Sequence, residues 1–347
     1  MSLLEYLRRD LRAMAGYTPG EQPRGGRVIK LNTNENPYPP SPQVIQAIRE
    51  TLTGDHLRKY PDPLGTRFRE TAGRILNVDP DGIVIGNGSD DVLTILTRAF
   101  VPAGGRVLSL TPSYLLYRTL AELQGARFVT VPFGPGWSVP AAFPSADLMY
   151  VANPNSPSGT TLDVATLLGR STCPVVVDEA YGDFAERNAL EWARSGQAIV
   201  TRSLSKSYAL AGMRFGFAVT TPEVAGELNK VKDSYNCDVL SLAAATAALE
   251  DQEYMLRCRD RIRETREQLA RGLIECGFRV TPSQANFVWA EHERPVRPIY
   301  EELKRRGILI RYMFYDGYGE GLRVSVGTEE EIETFLEQLR KLLETML

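Results

Sequence analysis

Histidine and cysteine are scarce in this chain, two and four copies among 347 residues, and where they fall excludes whole classes of site. His56 and His292 are far apart, and Cys173, Cys237, Cys258 and Cys276 show no C-x-x-C spacing, so neither a zinc site nor a disulfide framework is indicated and no metal is expected. Four free thiols suit a reducing cytoplasm. Long apolar runs are also missing: none approaches the roughly 18–20 residues needed to cross a bilayer. The opening run, residues 1–10, reads as an amphipathic helix rather than as the charged tip, apolar core and cleavage site of a secretory leader. Charge of one sign is absent as well. The 40 basic residues face 43 acidic ones without a basic tract, so the electrostatic footprint of a nucleic-acid binder is lacking. The expected partners are small molecules, with no nucleic acid and no membrane.

What is present is a folded enzyme-sized body. At 347 residues the chain exceeds the ~250–300 at which one core stops growing, which predicts two lobes around a cleft, and an apolar fraction of 43% supports a packed interior. From about Ile83 to Thr220, short β-branched runs recur between helix-like stretches: 82–85, 106–110, 147–151, 174–178, 198–201 and 215–219. Near-continuous apolar runs of this length suit strands buried on both faces of a mainly parallel α/β sheet. After Pro222 helical patterns dominate, including a charged stretch from Tyr254 to Leu273 that can link two lobes. Strand candidates follow at 278–280, 286–290, 308–311 and 322–326, with helices from Pro295 to Arg306 and from Glu329 onward. This mixture predicts a compact α+β second domain. The proline-rich segment Asn34–Pro40 reads as an ordered arm.

Three clusters carry chemistry. Gly86-Asn87-Gly88-Ser89-Asp90-Asp91 ends a predicted strand and opens a predicted helix, where small residues let backbone amides approach an anion; an ordinary turn capped by Ser89 or Asp90 is the competing reading. Position 91 is Asp, so the run is not a dinucleotide fingerprint. Asp178-Glu179-Ala180-Tyr181 closes the apolar strand 175–177 at the end where open α/β sheets place ligands, although Asp178 is equally suited to cap the next helix. Lys206 lies between Ser205 and Ser207, with Ser203 upstream and Arg214 downstream. A lone lysine is ordinarily a solvated charge. Here the two serines and the guanidinium could together bind a phosphate dianion beside an amine able to form a Schiff base. Phosphate turn, acid and lysine in this order are the equipment of a pyridoxal-phosphate enzyme.

On these residues the chain resembles the fold type I pyridoxal-phosphate aminotransferases of class I/II, and within them the histidinol-phosphate aminotransferases. The resemblance runs from 31–37 through Lys59-Tyr60-Pro61, 153–159, 178–181, 203–206 and 211–214 to 322–328. It implies an α/β fold in which a mainly parallel seven-stranded sheet flanked by helices is joined to a small α+β C-terminal domain. The corresponding parts are an arm over 1–38, a large cofactor-binding domain over 39–245 and the small domain over 246–347.

By resemblance Lys206 carries the cofactor and moves the proton at the substrate α-carbon, Asp178 holds the pyridinium, Tyr181 the ring oxygen, and Tyr114 stacks on the ring. Ser89, Asp90, Ser203, Ser205 and Arg214 are the implied phosphate ligands, with Tyr60 delivered from the other subunit of a homodimer. Relatives usually carry Asn-Pro-Thr-Gly where this chain has Ser156-Pro157-Ser158-Gly159, so a hydroxyl at Ser156 replaces the amide that bonds the ring oxygen, with Asn155, Asn153 or Tyr181 to compensate. On the substrate side, Arg323 matches the arginine that clamps a carboxylate and Arg311 the one used for a substrate phosphate, a strand-end salt bridge being the alternative for Arg311. Tyr17 and Asn34 complete that set from the arm. The implied reaction is transamination between histidinol phosphate and 2-oxoglutarate in histidine biosynthesis. Alternatives are an aminotransferase for aromatic or other amino acids, or a lyase like threonine-phosphate decarboxylase. A transcription regulator built on this fold would need a DNA-binding domain, for which the thirty residues ahead of Leu31 are too few. An oxidoreductase would lack its glycine fingerprint.

Overall fold

The computed structural model describes residues 2–14, 16, 20–22 and 28–345. A seven-stranded sheet forms the body of the large lobe, in the spatial order Ile83–Gly86, Gly216–Val219, Ile199–Ser203, Val175–Asp178, Leu148–Ala152, Arg106–Thr111 and Arg127–Pro132. All neighbours are parallel except Gly216–Val219, which runs antiparallel to both strands beside it. The apolar runs are explained by burial on two faces. Leu108, Met149, Val151, Val175 and Val177 join one core, while Val107, Leu148, Tyr150 and Val176 join the other, as the period of two along a strand requires. The seventh strand, Arg127–Pro132, lies at the sheet edge and alternates between exposed and half-buried residues. It therefore lacks the continuous apolar signature that reveals the other six.

The small lobe holds a four-stranded antiparallel sheet in the order Arg311–Tyr315, Gly319–Ser325, Phe287–Glu291 and Arg279–Thr281. Helices Gln252–Glu275, Arg297–Arg305 and Glu329–Thr345 supply apolar residues to its core, among them Ile262, Leu269, Leu273, Ile299, Phe335 and Leu339. The helix Gln252–Glu275 begins at Asp251, whose carboxylate accepts from the Tyr254 amide, and its 24 residues extend for about 36 Å.

The arm is an integral part of this packing. Ile29–Lys30 pairs in parallel with Ile308–Leu309, and Leu31 is buried in the small-lobe core. The expected strand 308–311 is thus divided: its first residues serve the arm, and a separate strand Arg311–Tyr315 enters the sheet. The expected helix at the amino end is likewise replaced by two short turns, Leu3–Tyr6 and Arg9–Ala13, separated by extended backbone at Leu7. Its apolar residues Leu3, Leu4 and Tyr6 are exposed, so no core face holds a longer helix together. Among the described residues no helix is long and apolar enough to cross a membrane.

Candidate active site

A cavity of about 340 Å³ opens where the C-terminal ends of the parallel strands face the arm and the small sheet. Ala152, Asp178 and Ser203, each the last residue of its strand, line it. This is where an open α/β sheet leaves room for a ligand, because the strands end and the chain turns away into loops.

One end is the start of the helix Ser89–Phe100. Its N-cap is Gly88, which offers no side-chain acceptor, so Ser89 and Asp90 are the first helical residues and their amides are directed outward without a cap. Gly88 has φ +87, and a Cβ there would lie 2.6 Å from the Arg214 guanidinium. Gly216 is needed for the same closeness, since a Cβ on it would meet the Ser89 nitrogen at 2.5 Å. Arg214 lines the cavity beside this turn, 3.4 Å from a carboxylate oxygen of Asp90, and Ser203 and Ser205 complete that end.

The floor carries a buried acid. Asp178 accepts hydrogen bonds from the Tyr117 hydroxyl at 2.8 Å, the Thr201 hydroxyl at 3.0 Å and the Ala180 amide at 3.3 Å. Burial raises its pKa above the ordinary carboxylate value, and the two hydroxyl donors oppose that rise. Deeper still, Arg202 is ion-paired to Glu179 at 2.8 Å and to Asp183 at 2.7 Å, which anchors the strand ends on either side. Tyr114 lines the cavity, and its hydroxyl donates to Asp90 at 3.3 Å.

Lys206 reaches the middle of the cavity. Its ammonium donates to the Thr33 carbonyl at 3.0 Å, and its pKa is pushed down to about 8, chiefly by burial and then by repulsion from Arg323. The loop around it is clamped from the arm: the Asn36 amide donates to the carbonyls of Lys206 and Ser207 at 3.0 and 3.1 Å. Tyr181 stands 5.9 Å from the Lys206 amine by its ring centroid, and its hydroxyl accepts from Asn34 at 2.9 Å.

The opposite wall comes from the small sheet. Arg311 and Arg323 are direct partners across the antiparallel strands Arg311–Tyr315 and Gly319–Ser325, and both line the cavity. Arg323 donates to the Ser156 hydroxyl at 3.0 Å and to the Asn32 carbonyl at 3.1 Å, while its buried Nε meets no acceptor among the described residues. Burial of a guanidinium beside an amine of lowered pKa prepares the site for an anionic ligand.

Comparison with known proteins identifies this geometry. The family model for aminotransferase class I and II matches residues 26–339. The chain belongs to this family. It is 48% identical to the histidinol-phosphate aminotransferase of Rhodopirellula baltica, covering 98% of this chain and 96% of that protein. It is 46% identical to the enzyme of the same name from Syntrophotalea carbinolica, covering 96% and 98%. Among solved structures, the histidinol-phosphate aminotransferase of Sinorhizobium meliloti in complex with pyridoxal-5'-phosphate superimposes with a TM-score of 0.84 at 28% identity, over 92% of this chain and 91% of that one.

Of the residues singled out in this aminotransferase sequence, Lys206, Asp178, Tyr181, Ser89, Asp90, Tyr114, Ser156, Ser203, Ser205, Arg214, Asn34, Arg311 and Arg323 all line the one cavity. Asn155 does not. Its side chain is fully buried and used internally, accepting from Ser113 at 2.8 Å and donating to the Pro112 carbonyl at 3.1 Å and to Ser158 at 2.9 Å, so it ties loops together instead of facing a ligand. Asn153 is also turned away, accepting from the Leu162 amide. Tyr60 is on the surface, 80% exposed, stacked on Tyr235 with ring centroids 4.4 Å apart. Tyr17 lies outside the described residues. Sequence reasoning missed Glu35, which lines the cavity from the same arm motif as Asn34, and Tyr117, which no motif distinguishes.

Proposed function

We propose that this aminotransferase exchanges an amino group between glutamate and imidazole-acetol phosphate, giving 2-oxoglutarate and histidinol phosphate, a step of histidine biosynthesis. The observation that carries this reading is the pair Arg311 and Arg323, set opposite each other in register on the wall facing Lys206. Two guanidiniums suit an enzyme whose amino donor is a dicarboxylate and whose other substrate is a phosphate ester without an α-carboxylate. The names of the relatives at 48% and 46% identity support the same substrate.

The residues fit pyridoxal 5'-phosphate. The uncapped helix start beside Arg214, Ser203 and Ser205 suits a phosphate dianion, the buried Asp178 suits a protonated ring nitrogen, and the Lys206 amine suits an aldehyde. When bound, this cofactor supplies an electron sink and carries the amino group between the two half-reactions. Lys206 moves the proton at the substrate α-carbon, and a pKa of about 8 makes its amine a competent base near neutral pH. Tyr181, oriented by Asn34, would offer its hydroxyl to the bound cofactor, and Tyr114, which lines the same cavity, would pack against it. Ser156 and Asn32 hold the Arg323 fork in position for a carboxylate, and Arg311 takes the substrate phosphate. In this reading Ser156 acts through Arg323 instead of through the ring oxygen.

We also read the protein as a cytoplasmic homodimer in which Tyr60 serves the site of the other subunit. The exposed stack of Tyr60 on Tyr235, with Leu52 and Leu57 also exposed, supports a covered face. The functional test is product analysis. Formation of 2-oxoglutarate from glutamate only when imidazole-acetol phosphate is supplied is the expected result; release of carbon dioxide from threonine phosphate, or turnover with aromatic keto acids alone, contradicts it.

A further inference from the structure

The Asp178 carboxylate accepts from groups that the mechanism above does not use, and one of them is a phenol. Tyr117, in the helix Leu116–Leu123, has no exposed surface, and its hydroxyl donates to Asp178 at 2.8 Å. The ring cannot drift: it stacks on Tyr150 with centroids 4.9 Å apart and planes 12° apart, and Tyr114 meets it edge-on at 5.5 Å. Tyr150 is itself pinned, its hydroxyl donating to the Leu93 carbonyl at 2.9 Å within the helix Ser89–Phe100. The three phenols thus connect the acid at the floor to the helix whose start faces the phosphate end of the cavity.

We propose that Tyr117 is a positioning residue that keeps Asp178 ionised and aimed into the cavity, so that the carboxylate can hold a cationic ring nitrogen. The inference rests on the pyridoxal-phosphate reading given above. A carboxylate buried this deeply favours its neutral form unless donors compensate. Among the described residues two side chains donate to it, Tyr117 and Thr201, and burial keeps the Tyr117 phenol protonated far above neutral pH, so it is always a donor. Among the described residues, the other charged or titratable groups around it are Asp90 from the helix start, which disfavours ionisation, Tyr114 and Tyr150 from the phenol stack, and Glu35, Tyr181, Lys206, Arg214, Arg311 and Arg323, which line the same cavity.

The consequence is a pH effect with a definite sign. Asp178 serves as counter-charge above its pKa and loses that role as pH falls through it. Removing the Tyr117 hydroxyl raises this pKa, so the cofactor is released at higher pH. Holoenzymes of the wild type, Tyr117→Phe and Tyr150→Phe are dialysed across a pH series, and retained cofactor is read from absorbance. In Tyr117→Phe the release midpoint moves up by about one pH unit, with about tenfold weaker retention in that window, because a hydrogen bond to a charged group is lost while the ring stays packed. Tyr150→Phe, which loses a hydroxyl from the same stack without touching Asp178, keeps the wild-type midpoint. Thr201→Val, which removes the other donor, moves the midpoint in the same direction as Tyr117→Phe and serves if that variant folds poorly. Coincident midpoints for the wild type and Tyr117→Phe, or an equal shift in Tyr150→Phe, overturn the assignment. A wild-type protein that retains no cofactor at any pH overturns the cofactor reading, and this inference with it.

Discussion

The two walls of the cavity rest on different kinds of backbone. The large-sheet wall is made of strand ends and a helix start, so Asp178, Ser203 and the 88–90 turn are fixed by local geometry: the strand stops, the chain turns, and the side chain or amide faces the ligand. The small-sheet wall presents Arg311 and Arg323 from the face of two paired strands, where direction depends on register. A slip of one residue by either strand would turn its guanidinium out of the cavity. The strand carrying Arg323 is tied to the arm by the Ser325 amide, which donates to the Leu31 carbonyl, and by Arg323 itself, which donates to the Ser156 hydroxyl and the Asn32 carbonyl. In the proposed reading, reaction chemistry is set by one lobe, and choice of substrate depends on how the second lobe and the arm dock against it.

The contrast can be broken from either side. Lys206→Ala removes the amine on which the large-sheet wall converges, and turnover falls by at least about 10⁴-fold while the melting temperature stays close to that of the wild type, a combination checked by product assay and calorimetry. Substitutions on the small-sheet wall separate the two substrates. Arg311→Ala raises KM for histidinol phosphate about 100-fold and leaves glutamate nearly unchanged, whereas Arg323→Ala raises KM for glutamate by a similar factor; steady-state kinetics with each substrate varied in turn decides this. If both variants lose both substrates equally, the two arginines form one subsite and the division between them is wrong.

Smaller effects sharpen the picture. The lowered pKa of Lys206 predicts that capture of added pyridoxal phosphate by the cofactor-free protein accelerates about tenfold per pH unit below about 8 and levels off above it, as the neutral amine is the nucleophile. Stopped-flow absorbance across pH 6 to 10 measures this, and a midpoint near the ordinary lysine value contradicts the burial argument. Ser156→Ala removes one acceptor from Arg323 and raises KM for glutamate by only about two- to fivefold, without moving KM for histidinol phosphate.

The same division explains what was legible beforehand. Six of the seven large-sheet strands are visible as apolar runs because both faces are buried, and the edge strand Arg127–Pro132 is not, because one side is open to solvent. The residues at strand ends and the helix start can be read from short motifs, since neighbours in sequence are neighbours in space there. Asn155 has the same local pattern as Ser156, yet its amide is consumed by Ser113, Pro112 and Ser158, partners that only tertiary packing supplies. Tyr117 is invisible for the same reason: its partner Asp178 is 61 positions away and joins it only when the sheet and helix close. The division of residues 308–315 between the arm and the small sheet also depends on docking and has no signature in the run of apolar residues itself.

The most direct test of the central claim is a single half-reaction. Purified yellow holoenzyme is mixed with L-histidinol phosphate in the absence of any keto acid, and its absorption spectrum is followed. Rapid conversion of the bound cofactor to its amine form is the predicted result. A spectrum that stays unchanged with histidinol phosphate but responds to phenylalanine would contradict the substrate assignment and leave only the aminotransferase chemistry standing.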